Sequence, residues 1–449
     1  MSSPRYDFVK GYSASGAVRL HMPGHKGHGT LGEQYDITEI SGADSLYEAE
    51  GIIRESEAQA SDIFGAHTFY STEGSSLAIR AMLYLACLCA PSGARPLILA
   101  GRNAHKVFLS AAALLDFRVE WLYGGESYLS CKITAEDIER RLSSEKERPT
   151  ALYLTSPDYL GGRVDIEGIA KACHAHGVLL LVDNAHGAYL KLLQSSEHPM
   201  DLGADMCSDS AHKTLPVLTG GAYLHVSKSA PEVCRIRAKS ALALFGSTSP
   251  SYLILSSLDL VNDRIKGDYK DKMSIFIYKI AVLKRELENQ GYELYGDEPA
   301  KITVRAKDYG YCGQELASLV EAEGIFCEFS DTDYLVLMLT PSTTDEEMER
   351  LLQAMRSIPK KEALAASAPA VCECKTALTP REAMLCNSET VSVDKSVGRI
   401  LAAATVGCPP AVPIVMSGEI INENAALAMK YYGISKVLVV KNELLNQKN

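Results

Sequence analysis

Short apolar runs alternate with helical patterns between residues 61 and 226. The runs predict strands buried on both faces, and the stretches between them predict amphipathic helices. One such stretch has apolar positions at Ile166, Ile169, Ala170 and Cys173, behind the predicted N-cap Asp165. The alternation indicates βαβ units and an α/β fold with a largely parallel sheet, whose ligands bind beyond the carboxyl ends of the strands. The predicted strands are residues 96–100, 119–122, 151–155, 178–182 and 221–226.

The pattern changes after residue 259. Residues 270–290 predict one long helix, and Thr344 to Glu347 form a capping-box sequence that begins another. Further strands are predicted at residues 302–305, 334–338, 412–416 and 437–440, with a linker at residues 360–370. The predicted organisation is an N-terminal segment lining the site or subunit interface (1–60), a large domain (61–259), a small α+β domain (260–360) and a C-terminal domain (371–449).

Composition narrows the class of protein. The 449 residues are 47% hydrophobic and 22% charged, which is typical of globular domains and excludes a disordered chain. The net charge of -11 argues against a nucleic-acid-binding protein. The twelve cysteines show no disulfide or zinc spacing, and no apolar run is long enough to span a bilayer. We expect a cytoplasmic protein that binds neither nucleic acid nor membrane.

Small hydroxyl residues and a glycine precede a predicted helix at residues 77–89. Residues 71–76 read Ser-Thr-Glu-Gly-Ser-Ser. The first turn of a helix offers N–H donors and the positive end of the helix dipole, and both favour a bound phosphate. An ordinary helix N-cap accounts for the same residues, so this segment alone does not define a site.

An aspartate ends the most apolar predicted strand. Residues 179–187 read Leu-Leu-Leu-Val-Asp-Asn-Ala-His-Gly, with Asp183 at the strand end. A buried carboxylate is costly unless it has a cationic or hydrogen-bonding partner. The protonated ring nitrogen of pyridoxal 5'-phosphate (PLP) is such a partner, and the carboxylate keeps that ring able to accept electrons. Capping of the following segment is the alternative.

A lysine follows the next strand-like stretch, residues 205–207. Lys213 stands in the sequence Ser-Asp-Ser-Ala-His-Lys-Thr, and a lysine amine can form an imine with an aldehyde. Most lysines are solvated surface charges, so Lys213 alone is weak evidence. The three segments together meet three separate needs of one cofactor: its phosphate, its ring nitrogen and its aldehyde. We therefore predict a PLP enzyme.

Histidines elsewhere in the chain have two interpretations each. His105 follows a predicted strand, where an imidazole can stack on the pyridine ring or hydrogen-bond at a helix start. His21 and His25 have the spacing of a helical zinc pair, but Pro23 and Gly24 between them disfavour a helix. We predict a loop lining the active site or the subunit interface, and no metal.

Six motifs together resemble the Orn/Lys/Arg decarboxylase family of PLP enzymes. The resemblance covers most of the chain and implies PLP fold type I, like aspartate aminotransferase, with smaller α+β and C-terminal domains. The resemblance is to the short biosynthetic type, and we expect no counterpart of the extra N-terminal domain of the large acid-inducible members. The motifs are RLHMPGHKG (19–27), DNAHG (183–187), SAHKT (210–214), STSPSY (247–252), VGRI (397–400) and PPAVP (409–413).

The resemblance implies roles for individual residues. Lys213 would bind the cofactor aldehyde, Asp183 the ring nitrogen, and His105 would stack on the ring. The family forms dimers, or higher oligomers, with shared active sites, so Ser247 or Thr248 would reach the neighbouring subunit's phosphate. Two residues would lie beside the ring, Ala185 and His186. Four would surround the phosphate: Ser75, Ser76, Ser210 and His212.

The implied reaction is decarboxylation of arginine, lysine or ornithine to the amine and carbon dioxide, a reaction of polyamine biosynthesis. His212 or Lys213 would return a proton to Cα. His21, His25 and Glu419 are the predicted substrate contacts. Glu73 is a further acidic candidate for the substrate head group, although we expect it to face away from the phosphate.

Several positions depart from the family pattern and leave the substrate open. The family usually has Glu at Asn184 and Asn or Gln at Glu73, and its Thr-Gln pair appears as Thr219-Gly220. Its YPPG and Pro-Gly-Glu sequences are altered at Ala411 and at Ser417. Three alternatives therefore stay open: an aminotransferase or other PLP lyase, a catalytically silent PLP-binding homologue, and a metal-dependent hydrolase that uses the histidines.

Overall fold

The computed structural model describes residues 3–124, 128–406 and 413–441. Within them the chain forms fourteen α-helices, thirteen strands and five short 3-10 or π segments. The helices are α1 (Pro4–Ala14), α2 (Ile52–Phe64), α3 (Gly74–Leu88), α4 (Lys106–Leu115), α5 (Ala135–Leu142), α6 (Ile166–Ala175), α7 (Ala211–Thr214), α8 (Glu232–Phe245), α9 (Tyr252–Arg264), α10 (Lys270–Asn289), α11 (Gly313–Ala322), α12 (Asp345–Ser357), α13 (Pro380–Leu385) and α14 (Glu423–Tyr431). The strands are β1 (His67–Ser71), β2 (Leu97–Gly101), β3 (Arg118–Leu122), β4 (Ala151–Thr155), β5 (Leu179–Asp183), β6 (Met206–Asp209), β7 (Ala222–Val226), β8 (Leu294–Tyr295), β9 (Lys301–Arg305), β10 (Phe329–Ser330), β11 (Tyr334–Met338), β12 (Ser388–Ser392) and β13 (Lys436–Val440).

The chain divides into two compact units. Unit 1 comprises Met1–Pro96, Ala135–Ser156 and Asp165–Ser274. Unit 2 comprises Leu97–Thr134, Pro157–Val164 and Ile275–Asn449. In the part of the chain that the structure describes, no helix has the length and apolar character needed to cross a membrane.

Unit 1 is built on five strands in the order β1-β7-β6-β5-β4. Strands β4, β5 and β6 run parallel, whereas β7 is antiparallel to β6 and β1 is antiparallel to β7. Thr155 pairs with Asp183 across β4 and β5, and Asp183 pairs with Ser208 across β5 and β6. The carboxyl ends of these strands therefore lie side by side, at the edge where the α/β pattern predicts chemistry.

Unit 2 contains one parallel pair, β2 and β3, and two antiparallel sheets. The four-stranded sheet has the order β10-β11-β9-β8, and β12 pairs with β13. Thr344 begins α12 with the predicted capping box, because its hydroxyl accepts from the Glu347 N–H while the Glu347 carboxylate accepts from the Thr344 N–H. One apolar core of unit 2 joins side chains of the C-terminal residues, including Val415, Ile421 and Met429, to Leu160 and Val336.

The predicted elements agree closely with the observed ones where the apolar pattern is strong. Strands β2, β3, β4, β5 and β7 each lie within one residue of their predicted bounds, and α10 ends one residue before its predicted end. Strand β1 was not predicted. The predicted strand at residues 412–416 begins outside the described residues, and Met416 forms only an isolated bridge with Thr405.

Candidate active site

The N-terminus of α3 follows β1 through a tight turn. The Ser71 hydroxyl donates to the Gly74 carbonyl at 2.9 Å, and the Gly74 N–H donates to the Gly220 carbonyl at 2.7 Å. Gly74 has φ +72°, and a Cβ there would meet no atom within 4 Å, so open space lies beside the helix start. Ser75 and Ser76 occupy the first turn, whose N–H groups have no partners within the helix.

Ser210 joins this helix start from a distant part of the chain. It precedes the short helix α7, and its hydroxyl donates to Ser75 Oγ at 2.8 Å. The Lys213 N–H donates to the Ser210 carbonyl at 3.0 Å, which fixes the turn that carries the lysine. The structure thus brings together two residues predicted to bind phosphate, beside the predicted cofactor lysine.

Asp183 ends β5 with its side chain buried. Tyr153 Oη donates to Oδ2 at 2.9 Å, and the Ala185 N–H donates to Oδ1 at 3.2 Å. Burial raises the pKa of Asp183, while these two hydrogen bonds and the charge of Lys213 act to lower it. Sequence reasoning missed Tyr153, whose position two residues before the end of β4 gives no sign of its contact with the neighbouring strand.

Lys213 contacts a histidine of the same unit. Its Nζ lies 2.8 Å from His186 Nε2, and its side chain is half-buried. Because an ammonium group only donates, His186 accepts at Nε2 and carries its own ring proton at Nδ1. Lys213 thus contacts His186 and lies near enough to Asp183 for its charge to lower the pKa of that carboxyl.

His212 points its ring toward the backbone of the following loop. Its Nδ1 donates to the Gly221 carbonyl at 2.9 Å, because a carbonyl only accepts. Burial lowers the pKa of His212, and the charge of Lys213 lowers it further. The imidazole is therefore neutral near pH 7, with no proton on Nε2.

A second buried carboxylate, that of Asp209 at the end of β6, was not among the site residues predicted from the sequence. Asp209 Oδ1 accepts from Asn184 Nδ2 at 2.7 Å, and Oδ2 accepts from the Nε2 atoms of His198 and His225 at 2.9 and 3.1 Å. His225 Nδ1 in turn lies 2.9 Å from Thr68 Oγ1. Burial acts to raise the pKa of Asp209, but the two imidazoles outweigh it and hold the pKa far below its usual value.

Other predicted site residues of unit 1 lie on exposed or half-buried segments. Ser247 and Thr248 are exposed after the end of α8, and the Ser247 N–H donates to Glu73 Oε1 at 2.6 Å. His21 Nε2 lies 2.7 Å from Tyr12 Oη, whereas His25 Nε2 lies 3.2 Å from Asp36 Oδ2. The two histidines thus contact different partners, in a segment with no helix.

Two predicted site residues belong to unit 2. His105 is the N-cap of α4, and its Nδ1 accepts from the Val107 N–H at 3.3 Å. Glu419 forms a buried, bidentate ion pair with Arg102, at 2.6 and 2.7 Å. Both carboxylate oxygens of Glu419 are therefore taken by a cation. The altered residue Ala411 lies outside the described residues.

The residues of unit 1 fit PLP. Asp183 is a buried carboxylate whose raised pKa reflects incomplete compensation of its charge, and a ring N–H would supply that compensation. The open space at Gly74 leaves room for a phosphate at the start of a fifteen-residue helix, beside the hydroxyls of Ser75 and Ser210. Lys213 provides an amine that contacts His186 and whose charge acts on Asp183.

Comparison with known families agrees with this chemistry. Residues 3–303 match the family model described as Orn/Lys/Arg decarboxylase, major domain, and residues 361–439 match the model of the C-terminal domain. The chain belongs to the Orn/Lys/Arg decarboxylase family, as its motifs predicted, and is a PLP-dependent amino-acid decarboxylase by that membership.

Individual relatives cover nearly the whole chain. The arginine decarboxylase of Bacillus subtilis (strain 168) is 29% identical over 466 residues, which cover 94% of this chain and 91% of that protein. Lysine decarboxylase A from Pseudomonas aeruginosa aligns with a TM-score of 0.81 at 17% identity, over 98% of this chain and 80% of its own. The constitutive lysine decarboxylase of E. coli aligns with a TM-score of 0.76 at 16% identity, over 98% and 82%. These two structures confirm the predicted fold class.

Proposed function

We propose that this protein decarboxylates arginine, with PLP held by residues of unit 1. One observation carries the proposal: the charge of Lys213 acts on Asp183 at the carboxyl ends of parallel strands, beside Ser75 and Ser210 at a helix N-terminus. The choice of arginine over lysine and ornithine is supported by the printed name of the Bacillus subtilis relative.

Each part of the cofactor has a proposed partner in this unit. Asp183 accepts from the ring nitrogen. The Tyr153 hydroxyl holds Oδ2 of this carboxylate in place, and the Ala185 N–H donates to Oδ1. Ser75, Ser76 and Ser210 donate to the phosphate, and Ala185 with His186 lies beside the ring. When bound, PLP supplies an aldehyde that condenses with amines and a protonated ring that accepts the electrons released from a Cα–carboxylate bond.

Replacing the carboxylate by hydrogen requires a proton donor at the substrate Cα. His212 is a poor donor, because its Nδ1 proton is held by the Gly221 carbonyl and its lowered pKa leaves Nε2 without a proton. Lys213 carries transferable protons and is oriented by His186. We therefore assign proton delivery to Lys213 and assign to His212 the support of the lysine turn and the phosphate.

We further propose a homodimer in which Ser247 and Thr248 reach the phosphate of the other subunit. Both residues are exposed at the end of α8, and the Glu73 carboxylate holds the Ser247 backbone. This hydrogen bond gives Glu73 a structural role, which is to hold the segment that carries Ser247 and Thr248. We propose this role instead of the contact with the substrate head group that the sequence suggested.

A substrate panel tests the proposed reaction. Purified protein supplied with PLP is incubated separately with arginine, lysine and ornithine, and released carbon dioxide and the amine product are quantified. We expect agmatine from arginine, at a kcat/KM well above that for the other two amino acids. Conversion of an oxo acid without carbon dioxide release would instead identify an aminotransferase. Cofactor binding without turnover of any substrate would identify a catalytically silent homologue.

A further inference from the structure

Two helices of unit 1 lie side by side in opposite directions. At one end of the pair, Glu73 at the N-cap of α3 accepts from the backbone N–H that follows α8, at Ser247. At the other end, the C-cap of α3 is Cys89, and it meets Cys234 in the first turn of α8. Contacts at both ends hold the two helices in a fixed register.

The two thiols touch each other. Their sulfur atoms are 3.6 Å apart, and Cys89 Sγ also lies 3.5 Å from the Leu85 carbonyl. A disulfide requires a separation of about 2.05 Å, so each sulfur has to move by less than about 1 Å. Side-chain rotation at two helix ends supplies such a movement more readily than rotation in the middle of a helix.

The thiols differ in reactivity. The hydrogen bond from the Cys234 thiol lowers the pKa of Cys89, and the same contact raises the pKa of Cys234. Cys89 is half-buried, whereas Cys234 is fully buried. The neighbouring thiol Cys87 is also half-buried, but burial raises its pKa to about 12. Thiolate character and access to solvent therefore coincide at Cys89.

We propose that Cys89 and Cys234 form a reversible disulfide by exchange with a low-molecular-weight disulfide such as glutathione disulfide. The Cys89 thiolate attacks one sulfur of the small disulfide, forms a mixed disulfide and releases one small thiolate. The mixed disulfide removes the charge of Cys89 that raises the pKa of Cys234. The Cys234 thiol then gives its proton to the released small thiolate and its sulfur attacks Cys89 Sγ, which releases the second small thiolate. The two cysteines are oxidised by two electrons, and the small disulfide is reduced to two thiols.

This disulfide would link the ends of α3 and α8 that lie opposite Ser75 and Ser247. It would also close a loop of well over a hundred residues, which includes residues 97–134 and 157–164 of unit 2. Closing a long loop constrains the unfolded chain, so the oxidised protein should unfold at a temperature about 3 °C or more above that of the reduced protein.

The test uses the full-length protein equilibrated with graded ratios of glutathione disulfide to glutathione. Free thiols are blocked by alkylation, and peptides are mapped by mass spectrometry with and without reduction. We expect a linked Cys89–Cys234 peptide that appears with rising disulfide ratio and disappears on reduction. The Cys87→Ser variant is the matched control and should form the same link. Cys234→Ser should stop at one glutathione on Cys89.

Two results would overturn the proposal. One is the absence of the linked peptide from the wild-type protein at every ratio, while a control disulfide in the same buffer equilibrates. The other is a link that forms instead between Cys87 and Cys234. Both results come from wild-type protein, so a variant that fails to fold does not affect the decision.

Discussion

At the scale of single residues, the role proposed for Lys213, covalent attachment of the cofactor, is the most specific part of the proposed site. We expect Lys213→Ala to lose covalently attached cofactor and nearly all decarboxylase activity, because the amine of Lys213 contacts His186 and acts on the charge of Asp183. The measurement is mass spectrometry after PLP loading and borohydride reduction. Lys171→Ala, at an exposed lysine paired with Glu167, is the control and should retain both. Cofactor attached elsewhere in Lys213→Ala would refute the assignment.

In the proposed site Asp183 acts through its negative charge, and substitution by the isosteric asparagine removes that charge alone. We expect Asp183→Asn to fold and to bind PLP more weakly, with kcat lowered roughly 100-fold or more, since the ring nitrogen would lose the carboxylate that keeps it protonated. The measurements are kcat and the concentration of PLP at half-saturation. Tyr153→Phe is a milder companion, because it removes one hydrogen bond and keeps the carboxylate. Wild-type kcat in Asp183→Asn would contradict the proposed role.

At the scale of secondary structure, Asp209 links the end of β5 to β7 through Asn184 and His225. Asp209→Asn removes the negative charge beside two buried imidazoles and turns one acceptor oxygen into an NH2 donor that faces another donor, so it should lower the free energy of unfolding by about 3 kcal/mol. Urea unfolding at pH 7 measures this loss. A change below about 0.5 kcal/mol would show that the network contributes nothing measurable to stability.

The same carboxylate gives a pH dependence of known sign. The pKa of Asp209 in the folded chain lies below its ordinary value of 3.8, so its contribution is fully present above that value and is lost as pH falls below it. The part of the stability difference between wild type and Asp209→Asn that comes from the Asp209 carboxylate should therefore shrink as pH falls below about 4. A difference that did not shrink below pH 4 would contradict a lowered pKa of Asp209 in the folded protein.

In unit 2, the buried ion pair between Arg102 and Glu419 also joins segments that are distant along the chain. Arg102 follows β2, lies 5.3 Å from the ring centroids of Trp121 and Tyr123, and also donates to the Ile414 carbonyl. Arg102→Met should cost about 3–5 kcal/mol by leaving Glu419 buried and uncompensated. Adding Glu419→Gln should recover part of that loss. If the double variant loses as much stability as Arg102→Met and Glu419→Gln lose in sum, the two residues are not coupled.

The sequence predicted best those features that depend only on residues close together along the chain. Strands β4, β5 and β7 of unit 1 followed from apolar runs, whereas β1 did not, and the position of Asp183 at a strand end followed from the same pattern. Tyr153 and Asp209 could not be found this way, because their partners lie on neighbouring strands and the pairing register is not written in either segment. The Arg102–Glu419 contact joins residues 317 positions apart, beyond the reach of any local pattern.

At the scale of the whole molecule, the central question is whether one active site uses two subunits. Ser247→Ala combined with Thr248→Ala should weaken PLP binding if these hydroxyls reach a phosphate. Lys213→Ala should be inactive for a different reason. In a mixed dimer of the two variants, the site that keeps Lys213 receives the intact Ser247 and Thr248 of its partner. That site should therefore have wild-type affinity for PLP.

Mixing the two variants under conditions that exchange subunits tests the shared site directly. We expect decarboxylase activity at low PLP to rise above the sum of the separate variants, and to fall again on dilution below the dimer dissociation constant. The control is each variant mixed with itself and taken through the same exchange. If Ser247 and Thr248 act within their own subunit, mixing restores nothing, because every site then lacks either its lysine or its two hydroxyls. Two different affinity tags, one on each variant, followed by purification on both tags in turn, show whether the mixed dimer formed, which separates that outcome from a failure to exchange.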